Sequence, residues 1–367
     1  MTRGLAPLLI LAILGALALA VYQGVWWMTA PVSSPSAQPP PRIVLIPEGA
    51  TLRQVAILLE QAGLIRNRGS FLTLGKIASA DRRILAGEYE LHAAMRPAEI
   101  LSRIRNGQVV LHAVTIPEGY TFLQIAELLR QKGLSDPDEF LRLARDKQFI
   151  QSLNLDVATL EGYLFPDTYR FARNAKAKDV ITTMVTGLWE AFTPELRERA
   201  KEVNMNVHEV LTLASVIEKE TSVDSERDLI SAVFHNRLRR KIPLQSDPTV
   251  IYGLDSFDGN LRKRDLDVRS PYNTYRVKGL PPGPIANPGL HSIRAALYPI
   301  RAKYLYFVSR NDGTHHFSST LDEHNRAVDK YQRRPARRVS VGCPKRCTQR
   351  HPVPSSRMSL LPNNLLK

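Results

Sequence analysis

Cysteine is nearly absent. The 367 residues hold two, Cys343 and Cys347, both close to the C-terminus, so no disulfide framework supports the body of the chain. Two cysteines four apart make no zinc site without two further ligands, even with His351 near them. His315, His316 and His324 likewise have no Asp, Glu or Cys grouping at ligand spacing, so no metal and no cofactor is expected. Acidic residues are also short, 35 against 50 Lys and Arg, for a net charge of +15. Nine of those bases and no acid lie from Tyr331 onward, which leaves +6 for residues 1–330. The basic excess belongs largely to a tail, and nucleic acid is not the expected partner. A reading as a nucleic-acid or anionic-lipid binder would rest on that tail alone.

Long apolar runs are missing too, with one exception. Residues 5–22, LAPLLILAILGALALAVY, carry no charge, follow Arg3 and lead to Trp26 and Trp27. About 20 apolar residues cross a bilayer core and aromatic residues favour its interface, so residues 5–27 read as one transmembrane helix after a four-residue N-terminus. A cleaved signal peptide is the rival, with Ala16-Leu17-Ala18 as a small-residue pattern, but the run exceeds the usual signal core of about 7–15 residues. Residues 28–41 include PVSSPSAQPPP and form a Pro-stiffened linker. Residues 335–367, rich in Arg and Pro and without periodicity, are expected to be disordered.

Between these ends the composition is globular, 44% hydrophobic and 23% charged. A repeat comes first. Ile46-Pro-Glu-Gly-Ala-Thr-Leu-Arg-Gln-Val-Ala returns 70 residues later as Ile116-Pro-Glu-Gly-Tyr-Thr-Phe-Leu-Gln-Ile-Ala. Each copy predicts a short strand (43–46; 114–116), a turn at Pro-Glu-Gly, and a helix with Thr51 or Thr121 as N-cap and Gly63 or Gly133 past its end. A second helix comes next (68–78; 138–144), then a Gly-led strand (87–91; 162–171). Strand, helix, helix, strand is the order of a LysM-like βααβ module, a fold that holds amino-sugar polymers. The first copy either grips glycan or merely positions the remainder of the chain. Tyr163, Phe165 and Tyr169 in the second copy are candidates for a sugar-stacking groove, with core packing as the plainer alternative.

The densest chemistry lies at 211–252. From Val207, residues Val210, Leu211, Ala214 and Ile217 recur at helical spacing, and Glu218 continues that stripe at its edge. Partial desolvation there suits a general acid. Glu220 stands about 200° further round at roughly 100° per residue, so the two carboxylates should have different tasks. A second amphipathic helix spans 225–240 and ends in the basic cluster 237–241, read as a solvated helix end. Three polar, Pro/Gly-punctuated loops come after it: LQSDPTVIY at 244–252, YNTY at 272–275 and GLPPGPIANPG at 279–289. Loops of this kind build sites.

These segments, with EKET at 218–221, SERD at 225–228, NRL at 236–238, YLYFV at 304–308 and HHFSSTLDEHN at 315–325, resemble the YceG-like endolytic murein transglycosylases (MltG). The resemblance runs to about Tyr331 and implies an α+β fold: an N-terminal transmembrane helix, LysM-like βααβ modules, then a mixed α/β YceG-like catalytic domain. The expected divisions are 42–112, 113–172 and 173–334. It also implies a carbon–oxygen lyase that cuts the MurNAc–GlcNAc β-1,4 bond of nascent peptidoglycan without water, leaves 1,6-anhydro ends and terminates strands. Glu218 matches the family's single catalytic glutamate. Glu220, Asn236, Gln245, Asp247, Thr249, Tyr252, Tyr272, Asn273, Thr274, Tyr275 and Asn287 are the expected substrate contacts, with Glu220 either a partner of Arg237 or a direct contact. The implied location is the outer face of the inner (cytoplasmic) membrane, beside peptidoglycan synthases (penicillin-binding proteins). The alternative is a membrane-anchored peptidoglycan-binding protein that does not cut.

Overall fold

The computed structural model describes residues 5–34, 36, 39–80, 84–221 and 223–333. The expected disordered tail with Cys343 and Cys347 lies outside them. In chain order the elements are α1 (Leu5–Thr29), β1 (Arg42–Ile46), α2 (Leu52–Gln61), α3 (Arg68–Ile77), β2 (Gly87–Leu91), α4 (Pro97–Arg105), β3 (His112–Thr115), α5 (Phe122–Gln131), α6 (Pro137–Leu143), α7 (Lys147–Ser152) and β4 (Thr168–Phe171). They continue with α8 (Ala177–Ala191), α9 (Pro194–Glu202), α10 (Val207–Glu220), α11 (Asp224–Arg239), α12 (Asp247–Tyr252), α13 (Leu290–Leu297), β5 (Tyr306–Ser309), β6 (His315–Ser318) and α14 (Leu321–Val328). The strands pair as three two-stranded sheets, β1 with β2, β3 with β4 and β5 with β6.

The chain divides into two compact units. The first comprises the chain up to Val114 together with Leu128–Pro137 and Thr168–Val180. Its repeat copy obeys the local signals closely. Thr51 caps α2 in a full capping box with Gln54, and Gly63 takes a φ of +65° past the helix end, where a side chain would be strained. β1 and β2 run antiparallel with Val44 opposite Tyr89. Period-two alternation turns Val44, Ile46, Tyr89 and Leu91 inward onto Leu52, Val55, Leu59, Phe71, Ile100 and Ile104. The buried Tyr89 hydroxyl donates to the Leu85 carbonyl at 2.7 Å, which satisfies its one polar group. α4, absent from the βααβ order expected of the repeat, closes this core with Ile100, Leu101 and Ile104. The linker does not run free of the module: Arg66 donates to the Pro31 carbonyl at 2.9 Å and stacks on Trp27.

α1 extends 25 residues, with Ile13, Leu14, Leu17, Leu19, Tyr22, Trp26 and Trp27 exposed. Among the described residues no helix is long and apolar enough to cross a membrane. The side chains of 5–12, where the apolar run begins, lie outside that description.

The second unit comprises Thr115–Glu127, Asp138–Asp167 and the chain from Ile181. Its centre is α10, whose residues 210–217 are all buried, not only one face of them. The three smallest make this workable: Ala214 lets neighbours approach, while Thr212 and Ser215 bond back to the His208 and Thr212 carbonyls at 2.7 Å each. α13 and α11 pack along it. α8 and α9 are separate helices, since Thr193 caps the second, which starts at Pro194. The strand expected over 162–171 is reduced to β4, because Gly162 turns at φ +83° and residues 161–164 are buried in a turn.

In the first unit Leu59 is fully buried. Leu59→Ala is expected to lower stability by about 2–5 kcal/mol, read as a lower urea midpoint; an unchanged midpoint would contradict its place in that core.

Candidate active site

α10 ends at the candidate site. Asn206 and Glu209 cap its start, and its last turn carries Glu218, Lys219 and Glu220. Glu218 is nearly enclosed, its side chain 8% exposed. Its Oε2 accepts the Gly289 N–H at 3.1 Å, and its Oε1 lies 3.7 Å from Arg227 Nη2 of α11. Arg227 is itself buried and donates to Asp224 at 2.6 Å. The 279–289 segment is therefore bonded directly to this glutamate.

Glu220 leaves on the other side of the helix, as its angular offset requires. Its carboxylate accepts the Ser246 hydroxyl. Burial pushes its pKa up to about 7, with Asp247 also raising it, while the Ser246 hydrogen bond and Arg237 draw it down. Arg237 is not a solvated helix end. It is buried, and it donates to the Leu305, Pro243 and Leu244 carbonyls at 2.6, 3.0 and 2.9 Å and to Gln245 Oε1 at 3.1 Å. The guanidinium's fixed fork suits it to hold several carbonyls at once.

The loop at 244–252 is partly helical, forming α12, with Pro248 in its first turn. Gln245 sits at φ +53° and its N–H donates to the Thr274 carbonyl at 3.1 Å. Thr249 and Thr274, both fully buried, join by their hydroxyls at 2.8 Å. Asp247 is exposed and accepts the Tyr275 hydroxyl at 2.7 Å. Tyr252 and Tyr272, each half-buried, meet ring to ring at 4.9 Å. The three loops thus gather about the end of α10.

The expected contacts separate into two groups. Glu220, Gln245, Asp247, Tyr252, Tyr272 and Tyr275 keep some surface. Thr249, Asn273, Thr274 and Asn287 are buried, and their polar groups are spent on the fold. Asn273 donates to the Leu266 and Val268 carbonyls at 2.9 and 2.8 Å. Asn287 accepts the Leu164 N–H at 2.8 Å and donates to the Tyr120 carbonyl at 2.9 Å and Glu161 Oε1 at 3.0 Å. Asn236 bonds the Ala302 and Tyr304 carbonyls at 2.8 and 2.9 Å, so it braces the approach to β5. Of the groove aromatics, Tyr163 is buried with its hydroxyl on His208 at 2.9 Å. Tyr169 is buried against Phe171, and Phe165 is half-buried.

Two carboxyls stand outside the pattern of acids that the sequence singles out. Glu161 is buried, its Oε1 accepting from the Phe122 N–H and Asn287 at 3.0 Å each. Its Oε2 makes no hydrogen bond of standard geometry, although the Tyr252 hydroxyl interacts with the carboxyl. Burial raises Glu161 from 4.5 to about 8 against the pull of these donors. Glu118, in the second Pro-Glu-Gly turn, lies against Gly289. Although Glu118 keeps exposed surface, its partial desolvation raises its pKa, and the Glu218 charge raises it further. The repeat marks this turn without showing that its second copy meets α10.

A half-open cavity of about 1350 Å³ lies elsewhere, lined by His208, Glu209, Arg239, Arg240, Arg301 and Lys303 among others. His208 and Glu218 stand at opposite ends of α10, roughly 15 Å apart at about 1.5 Å rise per residue. This void is therefore not where the carboxylates meet.

Residues 44–330 match the YceG-like family. The chain belongs to that family. It is 34% identical over 302 residues to the endolytic murein transglycosylase of Bacillus subtilis, covering 78% of this chain and 83% of that one. It is 31% identical over 315 residues to the endolytic murein transglycosylase of Streptococcus pneumoniae, covering 77% of this chain and 57% of that one. Among solved structures it is similar to a yceG-like protein from Listeria monocytogenes, with 36% identity and a TM-score of 0.55 over 78% of this chain and 98% of that one. The YceG-like match takes in every residue of the site just described.

Stability should carry the mark of the buried carboxyls. Between about 4.5 and about 8 the folded chain keeps the Glu161 proton that the unfolded chain has released. Its contribution is complete below that window and lost as pH rises through about 8. Urea midpoints are expected to fall from pH 5 to pH 9 and to fall less in Glu161→Gln; equal slopes would contradict a proton held on Glu161.

Proposed function

We propose that this YceG-like chain is an endolytic peptidoglycan lytic transglycosylase that cuts the β-1,4 bond between N-acetylmuramic acid and N-acetylglucosamine. What supports the reading is one observation: the glutamate in the EKET motif is nearly enclosed at the end of a buried helix, bonded to the Gly289 N–H and flanked by Arg227. Relatives at 31–34% identity bear the name endolytic murein transglycosylase.

Breaking the bond requires a proton on the leaving oxygen and compensation of positive charge at the anomeric carbon. Glu218, in its protonated form, gives its proton to the departing N-acetylglucosamine O4 as the C1–O4 bond breaks. The resulting carboxylate stands beside the cationic sugar in a water-poor site, where its charge counts most. The muramic acid C6 hydroxyl then bonds C1 and returns its proton to Glu218. The enzyme ends as it began, no water is consumed, and the new end is a 1,6-anhydro sugar. One carboxyl can serve both steps because the two proton transfers occur in succession.

Glu220, Gln245, Asp247, Tyr252, Tyr272 and Tyr275, which keep some surface, are the side chains available to acetamido groups and hydroxyls. The βααβ modules serve as LysM-like supports that hold or orient the strand. α1, with its exposed apolar side chains and Trp26–Trp27 end, anchors the chain in the inner (cytoplasmic) membrane with the site outside, where nascent strands leave peptidoglycan synthases. Cutting within such strands would end their growth.

Glu218→Gln is expected to reduce cleavage of un-crosslinked glycan strands by at least about a thousandfold, the combined weight of its acid and base steps, with the circular dichroism spectrum unchanged. Chromatography of the released fragments measures it. A well-folded variant that cuts at the parental rate would overturn the assignment.

A further inference from the structure

The cavity between His208 and the end of α11 takes no part in the cleavage chemistry, yet its lining is built. Asn236 on α11 donates to the Ala302 carbonyl at 2.8 Å and accepts from the Arg239 guanidinium. Ala302 stands between Arg301 and Lys303, so this one side chain lays both bases beside Arg239 and Arg240 at the helix end. His235 Nε2, one residue earlier, donates to the Ala296 carbonyl at 2.8 Å and ties α13 to the same helix. Four exposed cationic side chains thus surround one void of about 1350 Å³.

No acid answers them. Among the described residues none of the four is ion-paired with a carboxylate. The one acid in the lining, Glu209, has its Oε2 on the Asn206 N–H at 2.8 Å, in the capping box of α10. Like charges gathered without a counter-charge repel one another, and an anion in the void relieves that repulsion. Much of the remaining lining is apolar, Met205, Leu238, Leu280 and Ile300 among it. Spaced cations among apolar side chains suit an extended ligand with several carboxylates and aliphatic stretches, whereas a single phosphate calls for donors that converge.

The void also borders the candidate site. Leu280, Pro281 and Pro282 line it, and the same segment runs on to Gly289, which holds Glu218. His208 Nε2 donates to the Pro282 carbonyl at 2.9 Å. A Cβ on the next residue, Gly283, would lie 3.3 Å from His208 Nε2 and 3.6 Å from the Tyr272 hydroxyl. The segment therefore touches both the void and a tyrosine of the site. The roughly 15 Å between His208 and Glu218 is about five residues of extended peptide, at about 3.3–3.6 Å each.

We propose that this cavity is a subsite for an acidic peptide, the stem borne on the muramic acid residues of the strand being cut. Its carboxylates meet Arg239, Arg240, Arg301 and Lys303 while the sugar chain lies at Glu218. The inference rests on the reading of the chain as a peptidoglycan transglycosylase.

The test is equilibrium binding of labelled, un-crosslinked glycan strands to the full chain carrying Glu218→Gln, with the peptide stems present or removed by an amidase. Stem-bearing strands are expected to bind about tenfold more tightly than stripped ones, and the preference is expected to shrink as salt is raised. Joint replacement of Arg240→Gln, Arg301→Gln and Lys303→Gln is expected to abolish it. Arg310→Gln, Arg326→Gln and Lys330→Gln together remove the same charge from exposed positions outside the lining and are expected to keep it. Equal affinity for the two strands, a preference that survives in the lining variant, or one lost equally in the control overturns the subsite. Stripped strands that still carry a lipid-linked diphosphate form a third arm; a preference that follows the diphosphate and not the stems overturns the peptide in favour of a phosphate. Cleavage is read separately. A parental chain that cuts neither kind of strand removes the transglycosylase reading, while the binding comparison still decides whether the void holds an acidic peptide.

Discussion

The site depends on one hydrogen bond, the Gly289 N–H to the Glu218 carboxylate. It ties the last turn of a helix buried over residues 210–217 to a Pro/Gly-framed segment. The segment is fixed a second time by Asn287, whose side chain reaches Leu164, Tyr120 and Glu161. Because Leu164 and Glu161 are buried and Tyr120 is half-buried, the segment cannot drift without leaving polar groups unpaired, at about 1–3 kcal/mol apiece for the buried ones. Glu218 is thereby held in one place.

Around that bond the polar residues divide by depth. At the bottom Thr249 and Thr274 complete each other's hydrogen bonds, while Asn273 and Asn287 hold backbone carbonyls, and together they set the loop shapes. Those nearer the surface, Asp247, Tyr272 and Tyr275 among them, hang on that framework with polar groups that a sugar could reach. Arg237 plays the same part for the 243–245 corner: its Nη1 meets the Pro243 and Leu244 carbonyls and Gln245 Oε1 while its Nε holds the Leu305 carbonyl, a two-ended reach that the guanidinium fork provides. Side chains rich in polar atoms here are therefore not all free to meet a ligand; many hold the loops in shape.

Much of this is legible along the chain. Thr51 and Gln54, or Gly63 with its positive φ, are local devices whose effect extends over one turn, so a residue pattern reveals them. The apolar spacing of 210–217 marks α10, and its continuation marks Glu218. What escapes the pattern is long-range. Asn287 meets Leu164 across 123 positions and Glu161 across 126, and no periodicity encodes such partners. Glu118 is hidden by its own repetition, since Glu48 occupies the same turn in the first copy. Arg237 misleads because a base at a helix end is satisfied by the dipole as readily as by buried carbonyls. Pro166 and Gly162 stand within the expected strand at 162–171, and there the breakers prevail over the aromatic, β-favouring residues around them.

In the proposed reaction an enclosed Glu218 cuts glycan by passing one proton out and taking one back, with no water entering the bond. Cleavage of un-crosslinked glycan strands in water enriched in oxygen-18, with mass analysis of the new ends, decides this. The proposed reaction gives 1,6-anhydro-muramyl ends carrying no heavy oxygen. Reducing ends that carry one oxygen-18 each would show that water had attacked, and would contradict it.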